Sequence, residues 1–415
     1  GVYDLVGNAW EWVDMLIGTT ADHTIDAGYP GAGLTLPTAN GNITTLYAPT
    51  KDGNRSLAAD AFSPATVGSA KAEYDNDYYY QATGQCAAVR GGVWVLGARC
   101  GLFCLGVGDA PSGTDLDGQP RTLGGARDIG ADEVLVVYVR PGGSDTNTGL
   151  SWAQAKQTVQ AGIAAALPGG EVWVATGVYT EAIALANGVQ LYGGFIGTET
   201  SLAQRNFLNN KTVLEGAGGS VVSAGAGVGA SARLDGFTIQ NGNAQYGGGI
   251  ACVGASPVIA HCIIMDNSAT YGGGISLRDG SHASFVSTVF YRNTVGNFGS
   301  ALYCEGSDPS LLNCTVAGHL SVGNGALHFV NASPLIANSI VANNAAGLTH
   351  VSGGVPTLRY NCVYGNTDCN YDGITDPTGT DGNISADPKL ADAAYGNVHI
   401  QPDSPCKDAG DDSVV

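Results

Sequence analysis

Short apolar runs, broken by glycine and asparagine, recur at a nearly constant interval in the second half of the chain. Three β-like runs fill each interval, as in GGGIACVGASPVIAHCIIMDN from Gly247 onward. The aligned apolar positions step by 25, 27 and 25 residues and are Ile250, Ile275, Leu302 and Leu327. A period of this length with several strands per unit predicts a β-solenoid, in which each coil stacks on the previous one.

Two further rows repeat at the same interval. One row is Cys262, Thr288, Cys314 and Ser339. Side-chain alternation predicts that this row and the first one point into the tube. The other row is Asn241, Asn267, Asn293, His319, Asn344 and Asn366. An asparagine column at a turn can hydrogen-bond the backbone of the neighbouring coil, which satisfies polar groups that a tight bend exposes.

A helix is predicted from Ser151 to Leu167, ahead of the repeats. Ser151 and Gln154 have the spacing of a capping box, and Pro168 followed by two glycines would end the helix. Its apolar stripe is Trp152, Ala155, Val159 and Ile163. Such a helix can cover the first coil, whose open edge would otherwise invite pairing with another chain.

The segments around the repeats resemble bacterial secreted proteins with a right-handed parallel β-helix of the pectin-lyase-like class. The resemblance rests on VYVRPGGSDTNTGLSWAQAKQTVQAGIAAALPGGEVWVATGVYTE at 137–181, LYGGFIGTETSLAQRNF at 191–207, GNISADPKL and SPCKDAG. It covers residues 135–415 and implies a mainly β fold, a right-handed parallel β-helix (solenoid) with an N-terminal capping helix. It also implies an extracellular or cell-surface location.

Residues 1–112 resemble another family. GVYDLVGNAWEWVDM and AVRGGVWVLGARCGLFCLGVGDAPS are similar to the C-terminal part of the formylglycine-generating-enzyme fold, a smaller C-type-lectin-like α+β domain. The resemblance implies a calcium ion held by side chains and backbone carbonyls at Asp4, Gly7, Ala9 and Glu11. The alternative is that Trp10 and Trp12 are core aromatic residues and Glu11 is a capping partner.

The catalytic activity of that family does not carry over. Its two copper-binding cysteines correspond to Leu96 and Gly101, whereas Cys100 and Cys104 lie at other offsets. A structural role for these cysteines is favoured, and the domain is interpreted as a binding or scaffold unit.

A second candidate calcium loop is DCNYDGITD at 368–376. Its oxygen-bearing positions, in the D-x-N-x-D-G-x-x-D spacing, are Asp368, Asn370, Asp372 and Asp376. The twelfth position, where a glutamate would complete the site, is Gly379. Asp and Asn are also common in ordinary turns, so that interpretation stays open.

The composition narrows the classes of function. With 17 basic and 36 acidic residues and a net charge of −19, the chain is a poor partner for nucleic acid, which requires patches of Lys and Arg. The ten cysteines form no CxxC pair, which disfavours a zinc ribbon and favours an oxidising compartment. The alternative is buried free thiols. No apolar run reaches the ~18 residues that a membrane span needs.

The closing motif of the β-helix family is split in this chain. SPCKDAG occupies Ser404–Gly410, whereas the matching continuation lies in residues 113–134, a linker that resembles a closing segment. If the front of one copy completes the tail of the next, head-to-tail contact gives a fibre or tube. The residues assigned to this contact are Pro111, Asp115, Asp117, Arg121, Asp128, Glu133 and Val415. Alternatively, the chain is cut from a larger or tandem protein, or its sequence was assembled imperfectly.

Three functions remain open. The leading interpretation is an extracellular structural or surface protein that self-assembles head-to-tail or adheres. The alternatives are a carbohydrate-active β-helix enzyme (a polysaccharide lyase or hydrolase) and a glycan-binding adhesin, either of which has polysaccharide as its partner. An enzyme needs paired carboxylates or a basic residue beside calcium. The close charged residues fall in turns and favour a solvated surface: His261, Asp266, Arg278, Asp279 and Arg292.

Overall fold

The computed structural model describes residues 136–321, 325–392 and 397–413, together with the backbone of five strands nearer the N-terminus. The chain divides into two compact units, Gly1–Glu133 and Val134–Val415. In the first unit the five strands form one sheet, and in sheet order they are Glu11–Ile17, Cys86–Arg90, Leu105–Asp109, Tyr78–Gln81 and Gly41–Asn42. The linker 113–134 lies outside the described residues.

The second unit is a parallel β-solenoid with three long sheets, as the repeat predicts. Sheet 1 contains Val136–Val139, Glu171–Ala175, Gln190–Phe195, Arg233–Asp235, Val258–Ala260, Ser284–Val286, Ser310–Leu312, Leu335–Ala337 and Thr357–Arg359. Sheet 2 contains Gly177–Thr180, Thr212–Glu215, Phe237–Gln240, Ile263–Met265, Val289–Tyr291, Thr315–Ala317, Ile340–Ala342 and Cys362–Tyr364. Sheet 3 contains Ile183–Ala184, Val222–Ala224, Ile250–Val253, Ile275–Arg278, Leu302–Glu305, Leu327–Val330, Leu348–Ser352 and Tyr371–Asp372.

The predicted interior rows are confirmed. Ile250, Ile275, Leu302 and Leu327 are register partners on successive strands of sheet 3, and all are fully buried. The row Cys262, Thr288, Cys314 and Ser339 is also buried, at the corner between sheets 1 and 2. Apolar burial along these columns is the main favourable term in folding the tube.

The asparagine row forms a buried ladder at the corner after sheet 2. Asn293 accepts hydrogen bonds at its Oδ1 from the backbone N and the Nδ2 of Asn267, both at 3.0 Å. In the same way, Oδ1 of Asn366 accepts from the backbone N and the Nδ2 of Asn344, at 3.1 and 2.9 Å. The prediction was wrong at Asn241, which is exposed and has a φ of 60°. The ladder position in that coil is the next residue, Gly242, whose N–H donates to Asn267.

A small side sheet follows this corner, and its strands are Asn243–Tyr246, Ser268–Tyr271 and Thr294–Phe298. The glycine runs then turn the chain back into sheet 3. A Cβ atom on Gly248 would lie 2.4 Å from the carbonyl oxygen of Ser268 and 2.6 Å from that of Gly273. Glycine is therefore required, because the backbones of adjacent coils meet directly.

The predicted helix Ser151–Leu167 is wrong in extent. A 3-10 turn spans Trp152–Gln154, and helix α1 spans Val159–Ala165 with Thr158 as its N-cap. The break arises because Lys156 pairs with the edge strand of sheet 1, donating its N–H to the carbonyl of Tyr138 at 2.8 Å. Helix α1 packs on the first coil so closely that a Cβ on Gly162 would meet Val139 at 2.6 Å.

Four cysteines lie inside the tube: Cys252, Cys262, Cys304 and Cys314. Cys252 and Cys304 belong to one inward row but are separated by Leu277 in the coil between them. Two strand spacings, roughly 9.6 Å, exceed what a disulfide can bridge. These four residues match the alternative of buried free thiols.

The chain ends in a hairpin of Leu390–Asp392 and Asn397–Ile400, followed by the closing segment Ser404–Gly410. Among the described residues, no helix is both long and apolar enough to cross a membrane.

Candidate functional site

Each strand of the side sheet ends in an aromatic residue that directly precedes a glycine run. Tyr246 is the register partner of Tyr271, which in turn pairs with Phe298. The rings of Tyr246 and Tyr271 stack with centroids 5.1 Å apart and an interplanar angle of 13°. Tyr271 and Phe298 follow at 6.1 Å. The solenoid repeat therefore builds a column of aromatic rings parallel to the tube axis.

Sheet 3 contributes a second row on its outer face. Ser276, Tyr303 and His328 are register partners on successive strands. The Tyr303 ring lies 5.3 Å from Tyr271, and the His328 ring lies 4.6 Å from Phe298. The two rows line the angle between the side sheet and sheet 3. We call this surface the aromatic groove, and its rings are Tyr246, Tyr271, Phe298, Tyr303 and His328.

Charged side chains border the aromatic groove. The guanidinium of Arg278 lies over the Tyr246 ring, 4.0 Å from its centroid. The Tyr303 hydroxyl is 3.3 Å from Oε2 of the exposed residue Glu305. Burial, reinforced by the negative charge of Glu305, raises the pKa of Tyr303 to about 12. The phenol therefore stays protonated and can donate a hydrogen bond at any physiological pH.

Two polar atoms in the aromatic groove have no hydrogen-bond partner, although both are buried: Ser276 Oγ and Arg278 Nε. Ser276 is only 1% exposed. Buried polar atoms without a partner are uncommon in native proteins, and each one calls for an explanation such as an ordered water or a ligand. Aromatic rings with a few converging polar groups are typical of small-molecule and carbohydrate sites.

Sequence reasoning missed the aromatic groove, but a signal for it exists. Tyr246, Tyr271 and Phe298 occupy the same repeat position, directly before Gly247, Gly272 and Gly299. An aromatic residue at one fixed place in successive coils would have predicted the column.

A second cluster of charges surrounds Asp235 on sheet 1. Arg205 Nη2 donates to one carboxylate oxygen at 2.6 Å, and Arg233 donates to the other through Nε at 2.9 Å and Nη2 at 2.6 Å. His261 Nδ1 lies 3.1 Å from the same carboxylate. Arg205 also lies over the rings of Tyr192 and Phe207, at 5.0 and 5.1 Å.

The environment of Asp235 stabilises its charged form. Burial acts to raise the pKa of Asp235, but the hydrogen bond with His261 and the charge of Arg205 outweigh it and lower the pKa to about 2. Arg205 follows the 3-10 turn Leu202–Gln204 and reaches back to Asp235 across the coil. The cluster thus fastens the segment after sheet 1 onto the tube.

Neither buried acidic residue has the properties of a general acid. Within the described residues the buried acids are Glu199 and Asp235. Glu199 accepts hydrogen bonds from the backbone N–H groups of Ile196, Gly197 and Thr198, and these outweigh burial and lower its pKa. A general acid in glycoside hydrolysis needs a raised pKa. The two carboxylates hold loops in place instead.

The predicted metal ligands fall partly outside the described residues: Asp4, Gly7 and Ala9 lie there, as does the side chain of Glu11. The loop 368–376 is described. Asn370 Oδ1 accepts from Nδ2 of Asn366 at 2.9 Å and so terminates the asparagine ladder. Asp372 lies in the strand Tyr371–Asp372, and Asp376 caps its own turn by accepting from the N–H of Thr378 at 2.9 Å.

In the described part of the chain, no group of three His, Cys, Asp or Glu side chains is arranged to hold a metal ion. Calcium stays a prediction. The assembly residues Pro111, Asp115, Asp117, Arg121, Asp128, Glu133 and Val415 all lie outside the described residues.

The charged residues predicted to be close do not form one cluster. Arg292 pairs with Asp266 at 2.6 Å on the surface, and His261 joins Asp235 instead. Arg278 borders the aromatic groove, while Asp279 occupies a corner with a φ of 57°. Asp235, Arg205 and Arg233 were not predicted, because residues far apart in sequence meet only through the stacking of coils.

No family model matches this chain, and no curated protein matches it either.

Proposed function

We propose that the protein is an extracellular surface protein whose β-solenoid binds glycans in the aromatic groove without cleaving them. The observation that carries the proposal is the coincidence of stacked rings with two unpartnered buried polar atoms, Ser276 Oγ and Arg278 Nε. We also propose that the tube is right-handed and related to pectin-lyase-like proteins, and that residues 1–112 have a C-type-lectin-like fold. Both folds suit a scaffold that presents a binding surface.

The groove suits a linear saccharide that lies along the tube axis. Its aromatic positions repeat once per coil, at roughly the 4.8 Å strand spacing. This interval is close to the length of one sugar unit in an extended chain, so the edges of successive rings can contact successive sugars. Arg278 and Glu305 supply a donor and an acceptor for hydroxyl or carboxylate groups, and the Tyr303 hydroxyl adds a donor.

The pKa values of the carboxylates support binding without cleavage. Where the pKa of a described Asp or Glu departs from its ordinary value, it is lowered: Asp145, Glu199, Glu215, Asp235, Asp376, Asp403 and Asp411. This pattern favours fixed charges over proton transfer. Enzymatic cleavage is therefore the less favoured alternative.

The test is titration calorimetry of the full chain against soluble glycans, both neutral (cello- and chito-oligosaccharides) and acidic (oligogalacturonate, alginate). Tyr271→Ala and Arg278→Met should each weaken binding about tenfold or more, by removing the central ring of the column or a charged donor. Tyr364→Ala, on the outer face of sheet 2, is the matched control and should bind normally.

Release of reducing ends or unsaturated products by the intact chain would show that the enzyme alternative is correct. If none of these glycans binds the intact chain, or if all three variants bind equally well, the aromatic groove is not the glycan site.

Self-assembly is the second candidate, and one observation favours it. Close to the last strand of sheet 1, Thr357–Arg359, the side chains of Val351 and Val355 are 59% and 87% exposed. Apolar side chains at the open end of a solenoid are normally capped. We propose residues 111–133 of a second copy as the cap. Deleting 111–133 should abolish high-mass species in light scattering; an intact chain that stays monomeric at high concentration would rule this out.

A further inference from the structure

Two cysteines from distant parts of the chain meet at the side of the last coil. Cys362 begins the last strand of sheet 2 and is buried, whereas Cys406 belongs to the closing segment Ser404–Gly410 and is partly exposed. The Cys362 thiol donates to the carbonyl of Ala386 at 3.1 Å, and the two thiols lie close enough for each to shift the pKa of the other. Both residues line one cavity, together with Asn338 and Gly410.

The closing segment is built to hold this contact. Ser404 Oγ donates to the carbonyl of Pro388 at 2.7 Å and accepts from the N–H of Cys406 at 3.1 Å. Further along, Asp411 exchanges two hydrogen bonds with the side chain of Asn338. Hydrogen bonds at Ser404 and at Asp411 therefore fix the chain on both sides of Cys406, which keeps its thiol close to Cys362.

The other described cysteines have raised thiol pKa values and are therefore less easily oxidised. Burial raises the pKa of Cys252, Cys262 and Cys314 to about 12, and these thiols are shielded in the tube. Cys369 is partly exposed, but burial and the nearby carboxylate of Asp372 raise its pKa. At Cys406 the interaction with the neighbouring Cys362 thiol lowers the pKa, which favours the reactive thiolate.

We propose that Cys362 and Cys406 form a disulfide bond that fastens the closing segment to the last coil. The oxidant is a small disulfide such as oxidised glutathione. The Cys406 thiolate attacks one sulfur of the oxidant, which forms a mixed disulfide and releases one glutathione thiolate. Cys362 then loses its proton and attacks Cys406 Sγ, which expels the second glutathione thiolate. The protein loses two electrons and two protons, and the oxidant becomes two thiols.

The bond joins the closing segment covalently to the last coil of the β-solenoid. Without it, the closing segment is held by non-covalent contacts such as the hydrogen bonds of Ser404 and Asp411; with it, the segment cannot leave while the last coil is folded. A crosslink between residues this distant restricts the unfolded chain strongly, so oxidation should stabilise the unit. The state of these two cysteines also reports whether the protein resides in the predicted oxidising compartment.

The experiment maps the bond in the full-length chain after equilibration in a glutathione redox buffer of secretory-compartment potential. Free thiols are blocked, and the chain is digested with trypsin without reduction. Cleavage after Arg359, Lys389 and Lys407 should yield residues 360–389 joined to 390–407, lighter by two hydrogen atoms than the sum of the separate peptides. Peptide 360–389 also contains Cys369, so further cleavage before Asp368 assigns the bond.

Variants make the result decisive. Cys369→Ser should retain the crosslink, and Cys406→Ser should abolish it. Reduction should lower the melting temperature of the wild-type and of the Cys369→Ser chain by about 5 °C or more, and leave that of Cys406→Ser unchanged. If Cys362 and Cys406 both appear as blocked free thiols after equilibration, or if Cys406 is joined to Cys369, the proposal is wrong.

Discussion

Asn338 and Asp411, 73 residues apart in sequence, exchange two hydrogen bonds of 2.9 Å. The Asn338 side chain donates through Nδ2 to the Asp411 carbonyl and accepts at Oδ1 from the Asp411 N–H. Asn338 occupies a corner of the tube with a φ of 50°, a conformation that asparagine tolerates better than most residues. One residue therefore forms the corner and also holds the closing segment.

Replacing Asn338 with aspartate should loosen the closing segment without unfolding the tube. Aspartate tolerates the corner conformation and keeps an acceptor, but it loses the Nδ2 donor, so about 1–2 kcal/mol of local stability is lost. Amide hydrogen exchange should accelerate at residues 404–413. Asn313→Asp is the control, because Asn313 occupies the preceding coil's corner at a φ of 56°. Equal exchange in both variants would show that this pair does not anchor the tail. The measurement is made under reducing conditions to separate it from the disulfide.

The repeat was predictable because the fold is periodic. A column such as Ile250, Ile275 and Leu302 follows from spacing alone, since parallel coils place equivalent residues in register. The same logic reached the asparagine ladder but missed its position by one residue in the coil of Gly242. The repeat cannot reveal this shift, because the residue that donates its N–H there is a glycine, which has no side chain to mark the position.

Contacts between residues at non-equivalent positions of the repeat could not be predicted from the sequence. Cys362 meets Cys406 because the chain leaves the tube, forms a hairpin and returns to its side. Arg205 reaches Asp235 from a loop outside the repeat. The helix broke at Lys156 because strand pairing satisfied its backbone N–H, a tertiary effect that overrides local helix propensity.

The inward position of Leu302 predicts a large cost for a charge there. Leu302 is fully buried between Ile275 and Leu327, so Leu302→Asp should place an unpaired carboxylate in the apolar column and unfold several coils. Leu302→Ala should cost about 2–5 kcal/mol by leaving a cavity. Leu320→Asp is the matched control, because that side chain is 76% exposed. Urea denaturation measures all three. A Leu302→Asp chain that unfolds at the same urea concentration as wild-type would exclude the interior position of Leu302.

The Asp235 cluster predicts a difference between buried and exposed ion pairs. Asp235→Asn leaves Arg205 and Arg233 without their carboxylate and should cost about 3 kcal/mol at pH 7. Asp266→Asn breaks the exposed pair with Arg292 and should cost less than about 1 kcal/mol.

The pH dependence of the Asp235 cluster has a defined sign. The pKa of Asp235 is lower in the folded chain, about 2, than its ordinary value of 3.8, so its stabilisation is complete above pH 4 and is lost as pH falls toward 2. Chemical denaturation from pH 7 to pH 2 should show this loss in wild-type and a smaller one in Asp235→Asn. Similar costs for Asp235→Asn and Asp266→Asn at pH 7 would contradict the buried role.

His319 interrupts the asparagine ladder and makes the tube sensitive to acid. Its ring is fully buried, Nδ1 lies 3.1 Å from the carbonyl oxygen of Asn293, and Nε2 has no hydrogen-bond partner. Burial lowers the pKa of His319 to about 4 from the ordinary 6.5, because the charged ring is poorly solvated inside the tube. The neutral ring is the form that the fold accommodates.

Acid should therefore destabilise the wild-type chain between pH 6.5 and pH 4. In that window the unfolded chain binds a proton at His319 that the folded chain does not, so stability falls as pH falls, by on the order of 3 kcal/mol in total. His319→Asn should remove this part of the slope. An asparagine there would also place an amide oxygen against the Asn293 N–H, as Asn293 itself does for Asn267. His282→Asn, at an exposed ring, is the control and should keep the wild-type slope. Parallel pH profiles for wild-type and His319→Asn, from urea denaturation, would refute the assignment.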